Sequence, residues 1–548
     1  GSSPAGSSAA CGLHRPMTPP VRLRPAVLLC AAVAASGGGA AAEDGVCPAG
    51  GCGDTAAEQA DMNPEGYFWR RRGGSVGRIN SSPHAGPANF SGGPTWVWPN
   101  DLDEQVRHAP LIDAERNVYI VTAVRIRKLD ADGNVRWTWE TGPSEGKMTA
   151  CPTIHRGVLY ALAFTRPAHA HVYAIDMETG RERWKKYMKK FVNSDAHSIL
   201  AYNDTIIFGS RDHVEDRPGA VVDTDGTNQV NAMNASDGEL LWEYTLDDVV
   251  WNLLVSTPGD GTMLFSSQCG GVWRLSWAGE VIWRKGRPFP GHWCGCGGGT
   301  LGPNGLFYAE FNDHSKPAGI VAAHRVSDGS LVWERTFPIF FGGWQYPSVG
   351  RLAPSGRLAV VAPLGSITNQ PQVPGVWWLS YDWVPDRWKK WWYQDMYLRS
   401  PWVRKAMGVP ALPNAVAALD AETGDTIWWV DEEPWDHIAA AGDEETFVDR
   451  LLRVKREGDF SRDDIMCLPD IQGIPLIAGD GTVYAASSHN GDLTAIRDMD
   501  GDGIIGPTER SVFKTGVAFL NGPSLAPGML VAAPCWGPTY VFKEAAAA

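Results

Sequence analysis

The chain has 548 residues, 20% of them charged, and a formal net charge of 48 − 62 = −14 at pH 7. It carries no basic stripe that would gather phosphate counterions, which excludes nucleic acid as an expected partner. Its 25 tryptophans far exceed ordinary usage, so one repeated structural purpose should account for most of them.

From Met17 the chain shows basic Arg22 and Arg24, an apolar run from Ala26 to Ala35, and small residues at Ala40 and Ala42. This reads as a secretory signal cleaved near Ala42. Residues 1–42 are therefore a signal peptide with an upstream segment, and 43–92 an N-terminal extension. The expected location is outside the cell, in the secretory lumen, or in the periplasm of a bacterial host. The apolar run is too short to span a bilayer, and no later stretch reaches about 18 uncharged apolar residues. No transmembrane segment is expected.

Setting aside Cys11 and Cys30 leaves Cys47, Cys52, Cys151, Cys269, Cys294, Cys296, Cys467 and Cys535. An even count in an exported chain favours disulfides of undetermined connectivity, with Cys47 and Cys52 the expected local pair. Asn80, Asn89, Asn203 and Asn234 stand in N-x-[ST] sites, which a eukaryotic host would glycosylate.

One phrase then recurs: a β-like run, a turn and a tryptophan. It reads "VRIRKLDADGNVRW", "HVYAIDMETGRERW", "QVNAMNASDGELLW", "GGVWRLSWAGEVIW", "IVAAHRVSDGSLVW" and "AVAALDAETGDTIW", closing on Trp137, Trp184, Trp242, Trp283, Trp333 and Trp428. A seventh copy, "DLTAIRDMDGDGIIGPTERSVF", has Phe513 in that place. Two further strand candidates joined by a Gly, Asn or Asp turn precede each phrase, so each unit reads as strands a, b, c and d of one antiparallel blade. Spacings of 47, 58, 41 and 50 residues between the first five tryptophans suit propeller blades. After Phe513 the chain supplies strands a, b and c but no d. "GPTWVWPN" (93–100) can supply it, closing the ring without an open sheet edge. The expected fold is all-β, an eight-bladed propeller of four-stranded blades over 93–543 closed by an N-terminal strand, with 544–548 as a tail. The blade tryptophans are expected to be apolar wedges between blades.

Two insertions interrupt the repeat. One, at about 366–413, separates strands b and c of blade 6; the other, at about 431–466, separates blades 6 and 7. In a propeller the b–c and d–a connections share one face, so both emerge together. The same rim receives Trp251, Cys269, "HWCGC" (292–296) and "PCW" (534–536). Long connections on one rim of a rigid scaffold are where binding or catalysis is expected. The first insertion holds Trp377, Trp378, Trp383, Trp388, Trp391, Trp392 and Trp402. Three roles suit it: a hydrophobic lid, a surface for a protein or glycan partner, or peripheral membrane contact, since aromatics mixed with Lys and Arg suit that boundary. The second reads as an amphipathic helix with Phe447, Leu451 and Val454 facing inward.

The phrase A-x-D-x-x-T-G-x-x-x-W, best matched by "AIDMETGRERW" and "ALDAETGDTIW", resembles the tryptophan-docking repeat of the pyrroloquinoline quinone (PQQ) repeat family. The resemblance covers about 93–543 and is specific for fold. The family includes quinoprotein alcohol dehydrogenases as well as an outer-membrane assembly lipoprotein that is a scaffold. For an enzyme, the resemblance implies PQQ on a calcium held by Glu, Asn and Asp, an Asp base, and a quinone stacked between a Trp and an adjacent-cysteine disulfide. The nearest features are Trp251 or Trp293, Cys294 and Cys296, and the rim pair Asp436 and His437. "KKWWYQ" is similar to an enzyme phrase of that family, but "DMYLRSPW" follows where an acidic W-D-x-D is expected. The expectation is therefore an exported, non-catalytic binding or scaffold propeller. Its competitor is a PQQ-dependent dehydrogenase oxidising an alcohol or sugar.

"DMDGDGIIGPTE" (498–509) fits a calcium loop, with Asp498, Asp500, Asp502, the Ile504 carbonyl and Glu509 as ligands. It occupies the c–d turn of blade 7, with no helix candidate beside it. A structural calcium staple on the face opposite the insertions is expected, not a helix-moving switch.

Overall fold

A computed structural model describes residues 63–544 apart from 78–79, 103, 149, 166–168, 191, 193–196, 212–226, 251–252, 289–293, 295–297, 314–317, 339–344, 366–382, 407–412, 437–438, 450–466 and 468–472. The signal segment, Cys47 and Cys52 lie outside the described residues, as do Trp251, Trp293, Cys296, His437, Leu451 and Val454.

Eight antiparallel blades follow one another along the chain. Blade 1, for example, comprises Leu111–Ile112, Val118–Val121, Arg125–Leu129 and Val135–Glu140. Strands b and c are buried on both faces because each blade is covered by its two neighbours. Strand d, the outer edge, alternates with period two, as in Glu182–Met188. Ring closure is as expected: Trp96–Trp98 pairs antiparallel with Thr539–Lys543, Trp96 facing Val541.

The repeated tryptophans lock neighbouring blades. The indole N–H of Trp137 donates to the Met177 carbonyl in the next blade's c–d turn at 3.0 Å. Trp184 bonds Ala235, Trp242 bonds Trp277, Trp283 bonds Val326 and Trp333 bonds Ala421 in the same way. Trp96 closes the series on Ala131. Each ring lies on the turn glycine: a Cβ on Gly180 would stand 2.7 Å from Trp137, and one on Gly424 2.6 Å from Trp333. Both glycines also have positive φ, 69° and 74°, so the motif glycine is required twice, by conformation and by contact. The aspartate before it accepts from the turn backbone, as Asp420 does from Glu422 and Thr423. Blade 8 has no c–d turn, since its d strand comes from the other end of the chain. Phe513 therefore needs no N–H and packs its ring 5.1 Å from Tyr540 and Phe542.

The N-terminal extension does what sequence reasoning did not anticipate. Residues 69–85 run along the innermost strands and touch every blade. Trp69 exchanges two backbone hydrogen bonds with Ile112 of blade 1, and the Arg70 carbonyl accepts from Ile154 of blade 2. Arg70 donates to the Ala201 carbonyl of blade 3 and Arg71 to Val255 of blade 4. Gly77 accepts from Leu301 of blade 5, and the Asn80 amide donates to Pro347 beside blade 6. Asn80 and Ser82 bracket Ile477 of blade 7, and Ala85 accepts from Gly528 of blade 8. Ile112, Leu301, Ile477 and Gly528 lie at the a–b end of their blades, whereas Val255 and Pro347 precede strand a of theirs, so the segment fills the channel against the innermost strands. Two blades depart from four strands: blade 2 gains a fifth, with Lys147–Met148 and Thr153–His155 both pairing with Val158–Thr165, and in blade 4 strand a shrinks to a single bridge, Ser256 with Leu264. There Val76 takes the Thr257 N–H, and the Thr257 hydroxyl bonds Thr262.

Candidate binding face

The two insertions emerge together where the repeat placed them. The first leaves blade 6 after Arg357–Leu364 and returns at Ala415–Asp420. Its described part is helical: Asp386–Lys390, a wider-wound Trp391–Leu398, and Pro401–Ala406. Lys389, Tyr393 and Tyr397 are buried at every fourth position, leaving Arg387, Trp388, Trp391, Asp395 and Arg399 outward. In the second insertion Phe447 is buried, as expected, and its ring lies 5.3 Å from Tyr393.

Polar contacts fasten the insertions to each other. Arg404 Nε donates to Asp436 at 2.8 Å and Arg404 Nη1 to the Tyr397 carbonyl at 2.8 Å, while the Tyr397 hydroxyl donates to the Asp436 carbonyl. Lys390 pairs with Asp449, and the Gln394 amide donates to the Glu445 carbonyl. Asp436 thus clasps the two insertions together.

Disulfides tie this face to the ring. Cys294 pairs with Cys269 and Cys467 with Cys535. The first bond takes Cys294 out of any thiolate metal site; the second anchors the end of the second insertion to blade 8. Among the described residues Cys151 is a free, buried thiol, pushed up to about 11 by burial.

Below this face the channel is filled by the protein itself. Arg70, Arg71 and Arg72 are fully buried. Arg72 donates to Gln345 at 3.0 Å and lies over the Tyr346 ring, 5.2 Å from its centroid. Tyr346 packs with Leu254 and Ile474, joining blades 4, 6 and 7 across the axis. Nothing in the repeat pattern signals this; only the run of three arginines after "YFW" (67–69) stands out in an acidic chain.

On the opposite face, oxygens of Asp498, Asp500 and Asp502 lie within 4.8 Å of one another, the one such group of potential metal ligands among the described residues. The loop joins Asp492–Ile496 to Arg510–Lys514 with no flanking helix. Glu509 stands apart from the three, accepting from the Met499 and Gly506 N–H groups at 2.6 and 2.8 Å. The Ile504 side chain is exposed.

A PQQ-type family model described as outer membrane protein assembly factor BamB matches residues 95–199 and 168–355, the stretch holding the first five docking tryptophans. The chain is a PQQ-repeat β-propeller. The propeller superposes on quinohemoprotein alcohol dehydrogenase from Comamonas testosteroni with a TM-score of 0.54 at 13% identity, covering 89% of this chain and 82% of that one. BamB from Moraxella catarrhalis aligns at 15% identity over 82% of this chain and 99% of that one, with a TM-score of 0.49. No curated protein sequence matches the chain. At such identities the likeness speaks to fold alone.

Of the candidate quinone contacts, Trp251, Trp293, Cys296 and His437 lie outside the described residues, and the two that are described have other partners. Cys294 is committed to a cysteine 25 residues away instead of an adjacent one, Asp436 is held by Arg404, and the carboxylate group lies on the far face. Two buried acids toward the insertion face have raised affinities for protons. Burial pushes Asp248 up to about 6, and Glu432 up to about 7 although Arg510 lies 3.2 Å from both its oxygens. Glu310, between blades 5 and 6, is raised well above the usual range by burial alone. Of the four sequon asparagines, Asn89 and Asn203 are exposed and Asn234 half-buried. Asn80 is buried, with its amide nitrogen bonded to Pro347, so the folded chain offers no room for a glycan there.

Proposed function

We propose that this PQQ-repeat propeller is an exported, non-catalytic binding scaffold that works through its insertion-bearing face. One observation carries the reading: among the described residues, the exposed tryptophans are Trp383, Trp388, Trp391 and Trp402, all on the first insertion. The channel filled by Arg70 to Arg72 and Tyr346, and the engagement of Asp436 with Arg404, support a binding role over catalysis. The match to a family model described as an assembly factor agrees with it. In the same reading, Asp498, Asp500 and Asp502 would hold a calcium ion with the Ile504 carbonyl, joined by Glu509 once it turns from the backbone N–H groups. That ion would be a structural staple.

Incubating the purified chain with PQQ and calcium tests the proposal. No bound-quinone absorption and no dye-linked oxidation of alcohols or sugars is the expected result. Appearance of both would replace the scaffold with a dehydrogenase.

A further inference from the structure

We infer that the first insertion docks the propeller on an anionic phospholipid surface through Trp383, Trp388, Trp391 and Trp402 and the basic residues beside them. This deepens the scaffold reading and rests on it, naming the surface that the insertion face takes.

The four indoles are 78, 52, 46 and 68% exposed, whereas the docking tryptophans of the ring are buried or half-buried. The exposure is held in place. Tyr393 and Tyr397 stack 5.6 Å apart beneath the outward side, Phe447 closes on Tyr393, and Arg404 with Asp436 pins the base. Rigid aromatic rings presented this way lose little conformational freedom on binding.

Charge points to the occupant. Residues 383–406 hold six basic residues (Arg387, Lys389, Lys390, Arg399, Arg404, Lys405) and two acidic ones (Asp386, Asp395), a balance of +4 in a chain whose total is −14; Arg404 and Lys390 are engaged by Asp436 and Asp449 of the second insertion. The remainder therefore carries −14 − 4 = −18 and is repelled by an anionic surface that attracts the insertion. Two of the exposed tryptophans have an exposed base close in sequence: Arg387 beside Trp388, and Lys405 three residues after Trp402. The core of a protein interface is depleted of Lys and of charge. Tryptophan interleaved with Lys and Arg is instead the composition of a headgroup boundary, where the ring lies at the acyl edge and the cation meets lipid phosphate. Among the described residues no helix is long and apolar enough to cross a membrane, so the contact is one of depth, not of spanning.

The test is co-sedimentation of the full chain with phosphatidylcholine vesicles, with and without phosphatidylglycerol, at low and high salt. Wild type should bind the anionic vesicles with a blue shift of tryptophan emission and lose most of that binding at high salt. W388A/W391A/W402A should weaken binding about tenfold or more. R387E/K405E alters exposed side chains and leaves every tryptophan in place, so it should lose anionic binding without a change in melting temperature. The inference is overturned if wild type ignores both vesicles, if neither variant differs from it, or if the same residues prove necessary only for capture of a protein. Because PQQ plays no part in this measurement, a chain that bound vesicles and also oxidised alcohols would sink the scaffold reading and leave the docking surface intact.

Discussion

Trp333 shows how much one residue of the repeat contributes. It is 8% exposed, donates to Ala421 at 2.9 Å and covers Gly424. Trp333→Ala should lower unfolding free energy by about 3–5 kcal/mol in denaturant titration, and Trp333→Phe, which keeps most of the ring, by roughly 1 kcal/mol for the lost hydrogen bond plus packing. Asp248 gives a pH signature at the same scale. It is 3% exposed, accepts from the Val249 N–H at 2.6 Å, and lies 3.9 Å from Arg284. Its folded affinity for protons, raised to about 6 from 3.8, means that between these values the unfolded chain has released a proton that the folded chain still holds. Stability from this group is thus complete below about pH 3.8 and lost as pH rises through about 6, by roughly 2–3 kcal/mol. Asp248→Asn should flatten that part of the melting-temperature profile; an unchanged slope would assign it to other groups.

At the scale of elements, the c–d turn decides what a blade can carry. In blade 6 it is a short turn capped by Asp420 under Trp333; in blade 7 it grows into the acidic loop, and Gly503 approaches the Ile427 backbone instead. The three converging aspartates repel one another without a cation. Calcium should therefore raise the melting temperature and EDTA lower it, with vesicle or partner binding on the far face unaffected. A melting curve indifferent to EDTA rejects the staple. The place of the first insertion between strands b and c of blade 6 and the inward Phe447 were legible because each rests on local spacing. The helices of the first insertion were not, since its tryptophans give no clear amphipathic period: their buried partners recur every fourth residue through a wider-wound turn.

At the scale of the whole molecule, stability depends on a segment outside the repeat. Removing residues 63–92 keeps the closing strand Trp96–Trp98 but strips partners from the N–H groups of Ile112, Ile154, Thr257, Leu301 and Ile477 and from carbonyls of several blades. At about 1 kcal/mol for each lost hydrogen bond, a chain beginning at residue 93 should unfold at least roughly 5 kcal/mol more easily. Equal stability of the two chains would show that the segment merely fills space.

By itself the sequence determined the blades, their number, the closing strand and the face on which the insertions stand. All follow from turn chemistry and a tryptophan repeated in step with it, signals that lie within one blade or its neighbour. Only the tertiary structure decided that residues 69–85 fill the channel, that Cys269 joins Cys294 and Cys467 joins Cys535, and that Asp436 is spent on Arg404. Those contacts link positions tens to hundreds of residues apart, some through side chains whose partners no local spacing names and some through backbone groups that every residue possesses. Such pairings leave no periodic mark in the chain.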